Sequence, residues 1–83
     1  NDIIEFIKLI KKSKIEYRNI TQIYYFQSGR WDIKNKSDIL IKLPSENLIK
    51  NLNIAYKIIN EKNFKTKKII DLRILNNIIL KDE

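Results

Sequence analysis

Gly29 to Pro44 reads GRWDIKNKSDILIKLP, and how this stretch pairs with itself decides the fold. Two runs rich in β-formers, Trp31 to Asn35 and Ile39 to Leu43, flank the polar triplet Lys36-Ser37-Asp38, which is the pattern of a β-hairpin. With the triplet as a three-residue loop and Asp38 in the left-handed region, Asn35 pairs with Ile39, Ile33 with Ile41 and Trp31 with Leu43. Trp31, Ile33, Ile39, Ile41 and Leu43 then share one apolar face. A two-residue loop would set the same residues against Asp32 and Lys34. Leu40 falls on the opposite side.

Ile69 to Leu80, IIDLRILNNIIL, repeats the device. With Leu75-Asn76-Asn77 as the loop and Asn77 left-handed, Ile74 pairs with Ile78 and Leu72 with Leu80, giving a face of Ile70, Leu72, Ile74, Ile78 and Leu80. Asp71 and Arg73 lie together on the other side, where an exposed pair contributes only about 0–1 kcal/mol. Upstream, Ile15 to Gln27 is β-branched and aromatic and reads as extended. Its pairing stays open: a Ser28-Gly29 turn brings Phe26 and Tyr24 to Trp31 and Ile33, whereas a Gln27-Ser28-Gly29 turn brings Tyr25 and Ile23 there.

Helices precede each sheet segment. Ile3, Phe6, Ile7 and Ile10 recur at helical spacing to about Lys12, with Asp2 and Glu5 fitting a capping box and Lys11 and Lys12 suiting the C-terminus. Pro44 stops the strand before it, and Ser45 is a candidate N-cap for a second helix to about Asn60, whose apolar stripe is Leu48, Leu52, Ala55 and Ile59 with Ile49 and Tyr56. Glu61 to Lys67, polar apart from Phe64, reads as the connection back to the sheet. The expected order is α-β-β-β-α-β-β, an α+β domain whose helices cover one face of a mostly antiparallel sheet.

The 83 residues carry 17 Lys and Arg against 10 Asp and Glu, a net charge of +7. Such a balance raises a nucleic-acid-binding domain as the alternative function, and anionic lipid headgroups as a further partner. The lysines run from Lys8 to Lys81 without forming an arginine-rich stripe, and Ile, Lys and Asn all follow AT-rich codons, so solvated surface is the preferred reading. Tyr24, Tyr25, Phe26 and Trp31, interleaved with Arg18 and Arg30, resemble a base-stacking platform but suit a small sheet's core and cross-strand contacts better. Residues 1–83 read as a single domain, excised from a longer protein because the chain opens at Asn1 and holds no apolar stretch long enough for a membrane span or signal peptide.

Chemistry is poorly provided for. Histidine and cysteine are both missing, which removes the commonest general base, the thiolate nucleophile and the N/S metal ligands. Serines 13, 28, 37 and 45 have no histidine to activate them, and Gly29, the one glycine, cannot build a phosphate cradle. The reading is of no enzyme and no cofactor.

What remains is the terminal strand, Ile78 to Lys81, whose free side would present backbone donors and acceptors beside consecutive apolar residues. Arg30-Trp31, the Ile39-to-Pro44 strand with its Leu-Pro exit, and Ile70-Asp71-Leu72-Arg73 resemble the C-terminal end of the bacterial cell-division family FtsQ/DivIB, over most of the chain from the first helix to Leu80. The resemblance implies a non-catalytic scaffold of the divisome on the periplasmic face of the inner membrane, at the septum. It also implies a membrane helix and a POTRA domain elsewhere in the full protein. FtsB/FtsL-like partners are then expected to add a β-strand at Ile74, Asn76, Asn77, Ile78, Ile79, Leu80 and Lys81 and to lay a helix alongside, with Arg73 taking a partner carboxylate bidentately.

Overall fold

The computed structural model describes residues 2–61, 64 and 68–82. In chain order the elements are α1 (Ile3–Lys12), a 3₁₀ turn (Tyr17–Asn19), β1 (Ile20–Tyr25), β2 (Trp31–Asn35), β3 (Leu40–Lys42), α2 (Leu48–Ile59), β4 (Ile69–Ile74) and β5 (Asn77–Lys81). The five strands lie side by side in sequence order, antiparallel except for the parallel pair β3 and β4, whose connection runs through α2. The expected α+β class and element order are those observed.

Ile23, Ile33, Ile41, Ile70 and Leu80 are paired in one row across all five strands. Directly opposed residues share a face, so this row marks the side on which both helices sit. Phe6 and Ile10 of α1, with Leu52 and Ala55 of α2, close over it in one buried cluster with Trp31, Leu43 and Leu72. Phe6 stacks on Trp31, ring centroids 4.4 Å apart and planes within 5°. Seven large side chains, Phe6, Ile10, Ile33, Ile41, Leu43, Leu52 and Ile70, are completely enclosed. At about 1.5–3 kcal/mol each, they are the main stabilising term of so short a chain.

The central hairpin has the expected register. Asp38 has φ 61°, Ile33 pairs with Ile41, Asn35 N–H donates to Ile39 O at 3.1 Å, and Leu43 N–H donates to Trp31 O at 3.2 Å. The Asn35 side chain completes the loop by accepting from the N–H groups of Ser37 (2.9 Å) and Ile39 (3.0 Å), an Asx-type closure. In the first hairpin the three-residue alternative is the one realised. Tyr25 pairs with Trp31 and Ile23 with Ile33, with Gly29 at φ 89° closing the turn.

Several expectations are corrected. Extended structure does not cover Ile15 to Gln27, because Tyr17–Asn19 winds into a 3₁₀ turn and the strand starts at Ile20 with a register shift between Ile20 and Gln22. Ser45 does not cap α2: Asn47 takes that place in the left-handed region at φ 56°, delaying the helix to Leu48, and its carbonyl accepts from both the backbone and the side chain of Asn51. The terminal hairpin turns more tightly than a three-residue loop. Leu75-Asn76 joins Ile74 to Asn77, the left-handed residue is Asn76 (φ 61°) rather than Asn77, and Ile70, not Leu72, faces Leu80. A register shift between Asp71 and Ile74 accommodates the difference. Of the capping box only Asp2 is seen to act, accepting from Glu5 N–H at 3.1 Å, while Glu5 turns to Lys8. The expected connection Glu61 to Lys67 lies outside the described residues except for Glu61 and the buried Phe64.

Candidate partner-docking edge

β5 has β4 on one flank and no strand on the other among the described residues. Its inner flank is set by the ladder to β4: Lys81 faces Ile69, Leu80 faces Ile70 and Ile79 faces Asp71, while Lys68 N–H donates to Lys81 O at 2.9 Å. Backbone groups alternate along a strand. Those of Ile79 and Lys81 therefore point to β4, and those of Ile78 and Leu80 point outward.

The side chains alternate as well. Ile78 and Leu80 lean to the helix side yet stay 49% and 40% exposed, because neither helix reaches over them. Ile79 and Lys81 lie on the opposite, open face. Ile74 and Leu75 at the turn are exposed too, and Asn76 and Asn77 complete the bend. The residues expected at the edge, Ile74 and Asn76 to Lys81, are thus brought together along one flank, whereas Arg73 projects from the irregular part of β4 beside it.

Arg73 is held. Its Nε donates to Asp71 Oδ1 at 2.8 Å and its Nη2 to Oδ2 at 2.6 Å, and its backbone N–H reaches Oδ1 at 3.1 Å. Asp71 is 3% exposed, so this is a half-buried pair and not the exposed one expected from spacing. The Arg73 bonds hold the Asp71 carboxyl below its ordinary range against the opposing effect of burial. A guanidinium has further donors, and the Nη1 edge is not engaged by Asp71.

Asp71 belongs to a second cross-sheet row, on the open face: Tyr24, Asp32, Lys42, Asp71 and Ile79. Arg30 Nη1 meets Asp32 Oδ1 at 2.5 Å, and the Arg30 guanidinium also lies 4.4 Å from the Phe26 ring centre. Cations and carboxylates alternate along this row, with Lys42 standing between the two aspartates.

On the helix side the edge opens into a groove of about 620 Å³, with Lys50 and Ile54 on one wall and Leu72, Ile74 and Ile78 on the other. Lys50 and Ile54 were not singled out from the sequence. Their signal is present only once α2 and β5 are known to be neighbours.

Among the described residues no group of three or more potential metal ligands comes together, and no helix is long and apolar enough to cross a membrane. Trp31 is committed to the core against Phe6 and Tyr25, which takes the central ring out of any base-stacking platform.

No curated protein and no solved structure matches the chain. A family model described as cell division protein FtsQ/DivIB, C-terminal, does match, over residues 2–73. The matched stretch begins at the N-cap of α1 and runs through both helices and the first four strands as far as Arg73, the residue that grips Asp71. Domains of this family are non-catalytic scaffolds of the divisome, working in the periplasm at the septum. With nearly its whole length matched and its elements in the expected order, the chain belongs to the FtsQ/DivIB C-terminal family of cell division proteins.

Proposed function

We propose that this domain recruits FtsB/FtsL-like division proteins by accepting a partner β-strand along the outer flank of β5. The observation that carries the reading is the geometry of that flank: outward backbone groups at Ile78 and Leu80, with half-exposed apolar side chains beside them. Each main-chain hydrogen bond to an added strand contributes about 0.5–1.5 kcal/mol net, and alternate side chains provide the selectivity. Asn76, Asn77, Ile79 and Lys81 frame the strand. Arg73, pre-aimed by Asp71, offers its remaining donors to a partner carboxylate.

In the full protein, on this reading, a single membrane helix and a POTRA domain precede the segment and tether it to the inner membrane. The domain then acts by position, holding its partners at the septum.

The test is binding of a labelled FtsB-like peptide followed by fluorescence anisotropy. Leu80→Pro removes an outward donor from an edge strand, where proline is otherwise tolerated, and should weaken binding tenfold or more while the circular dichroism spectrum is preserved. Undiminished affinity in a folded Leu80→Pro protein would count against strand addition.

A further inference from the structure

We infer that the partner segment flanking the added strand is acidic and lies across α2, in a trough that continues from the β5 edge over the helix layer. The inference rests on strand addition at β5 and adds to it the chemistry of the neighbouring stretch.

Two concavities meet at α2. The groove beside β5 ends at Lys50 and Ile54, and those same two residues begin a second, wider one of about 890 Å³ that continues to Tyr56, Lys57 and Lys14. The floor is apolar, with the half-buried Ile54 at the junction and the half-exposed Ile74 and Ile78 along the sheet-side wall. Ile78 of β5 shares the groove with Lys50, Asn51 and Ile54 of α2, so the edge and the helix border one continuous surface.

Charge selects the occupant. Lys50 and Lys57 are two helical turns apart, about 10.5 Å along the axis, and α2 holds no acidic residue between Leu48 and Ile59. Lys14 is brought beside them because its backbone N–H donates to Asn53 Oδ1 at 2.7 Å. The only acids among the lining residues are Glu46 and Glu61, at the two ends. Arg73, which also lines the groove, is paired with Asp71, so Lys50, Lys57 and Lys14 are the cations the trough offers along α2. An occupant with acidic side chains about two helical turns apart and an aliphatic one between them satisfies Lys50, Lys57 and Ile54 together. A flat anionic bilayer fits less well, because the concave floor keeps a plane away from Ile54.

The experiment uses the labelled FtsB-like peptide, made long enough to include residues on both sides of the added strand, against Lys50→Glu/Lys57→Glu and Leu80→Pro. The double reversal should weaken binding roughly tenfold at low ionic strength, with the gap closing as salt rises, because charges at the rim of an interface are screened. Both lysines are exposed, so the fold is expected to be unchanged. Unchanged affinity in the double reversal alongside loss in Leu80→Pro would overturn the acidic trough and leave strand addition standing. Unchanged affinity in Leu80→Pro would remove the reading beneath it. Sedimentation with vesicles of anionic lipid that the double reversal abolishes, at undiminished peptide affinity, would reassign the surface to a membrane.

Discussion

Asp32 and Asp71 stand on either side of Lys42 on the same face of the sheet, both almost fully buried, yet their carboxyls are displaced in opposite directions. Burial dominates at Asp32 and raises it in spite of Arg30, whereas the hydrogen bonds from Arg73 dominate at Asp71 and lower it. The difference lies in geometry. Arg73 meets its carboxylate through two parallel bonds and a backbone N–H, while Arg30 is seen to meet Asp32 through one.

The two aspartates therefore make opposite contributions to the pH dependence of stability. Asp71 stabilises above the ordinary carboxylate value of 3.8, and that contribution is lost as pH falls through its lowered folded value. Asp32 binds its proton more tightly when folded, so its ionisation costs stability as pH rises from 3.8 through its raised value, and acidification restores it. Asp71→Asn should lower stability near neutral pH by about 1–2 kcal/mol, because Arg73 loses a charge-assisted partner. Urea unfolding at neutral and acid pH checks the signs. The wild-type advantage over Asp71→Asn should shrink on acidification, and that over Asp32→Asn should grow.

Phe6 and Trp31 join the first helix to the start of the second strand by a stacked ring contact inside the core. Phe6→Ala leaves a cavity costing about 3–5 kcal/mol, a large fraction of what an 83-residue domain has. Phe6→Leu should cost much less. Tryptophan emission reports both directly: a red shift in Phe6→Ala without denaturant is expected, and a wild-type spectrum and melting point would show that α1 does not depend on this contact.

Backbone conformation makes a third prediction. A Cβ added to Gly29 meets no atom within 4 Å, so Gly29→Ala should cost only the strain of φ 89°, about 1–2 kcal/mol. Asn76 at φ 61° is the reverse situation, and Asn76→Gly should leave stability within about 0.5 kcal/mol of wild type or raise it slightly. Thermal melts decide both.

Which parts of this were legible beforehand follows from the residues. The central hairpin could be read because Trp31, Ile33, Ile39, Ile41 and Leu43 allow one register and Asp38 tolerates the left-handed turn it requires. The terminal hairpin misled because Ile74, Leu75, Ile78, Ile79 and Leu80 are apolar on both faces, so alternation does not mark which residue β4 skips. α2 began late for a related reason: Ser45 is a good cap by type, but the left-handed Asn47 turns the chain before the helix can form. The edge position of β5 was expected from the strand's place in the order of elements. Which of its amides face outward was not, since that depends on the register the irregular pairing sets.

Amide hydrogen exchange of this domain with and without the FtsB-like peptide tests strand addition most directly. The Ile78 and Leu80 N–H groups, exposed in the free domain, should become strongly protected on binding, while the amides of β1 at the far edge should not change. Binding that leaves Ile78 and Leu80 exchanging at their free rates, with new protection confined to β1 or to the helices, would contradict the account.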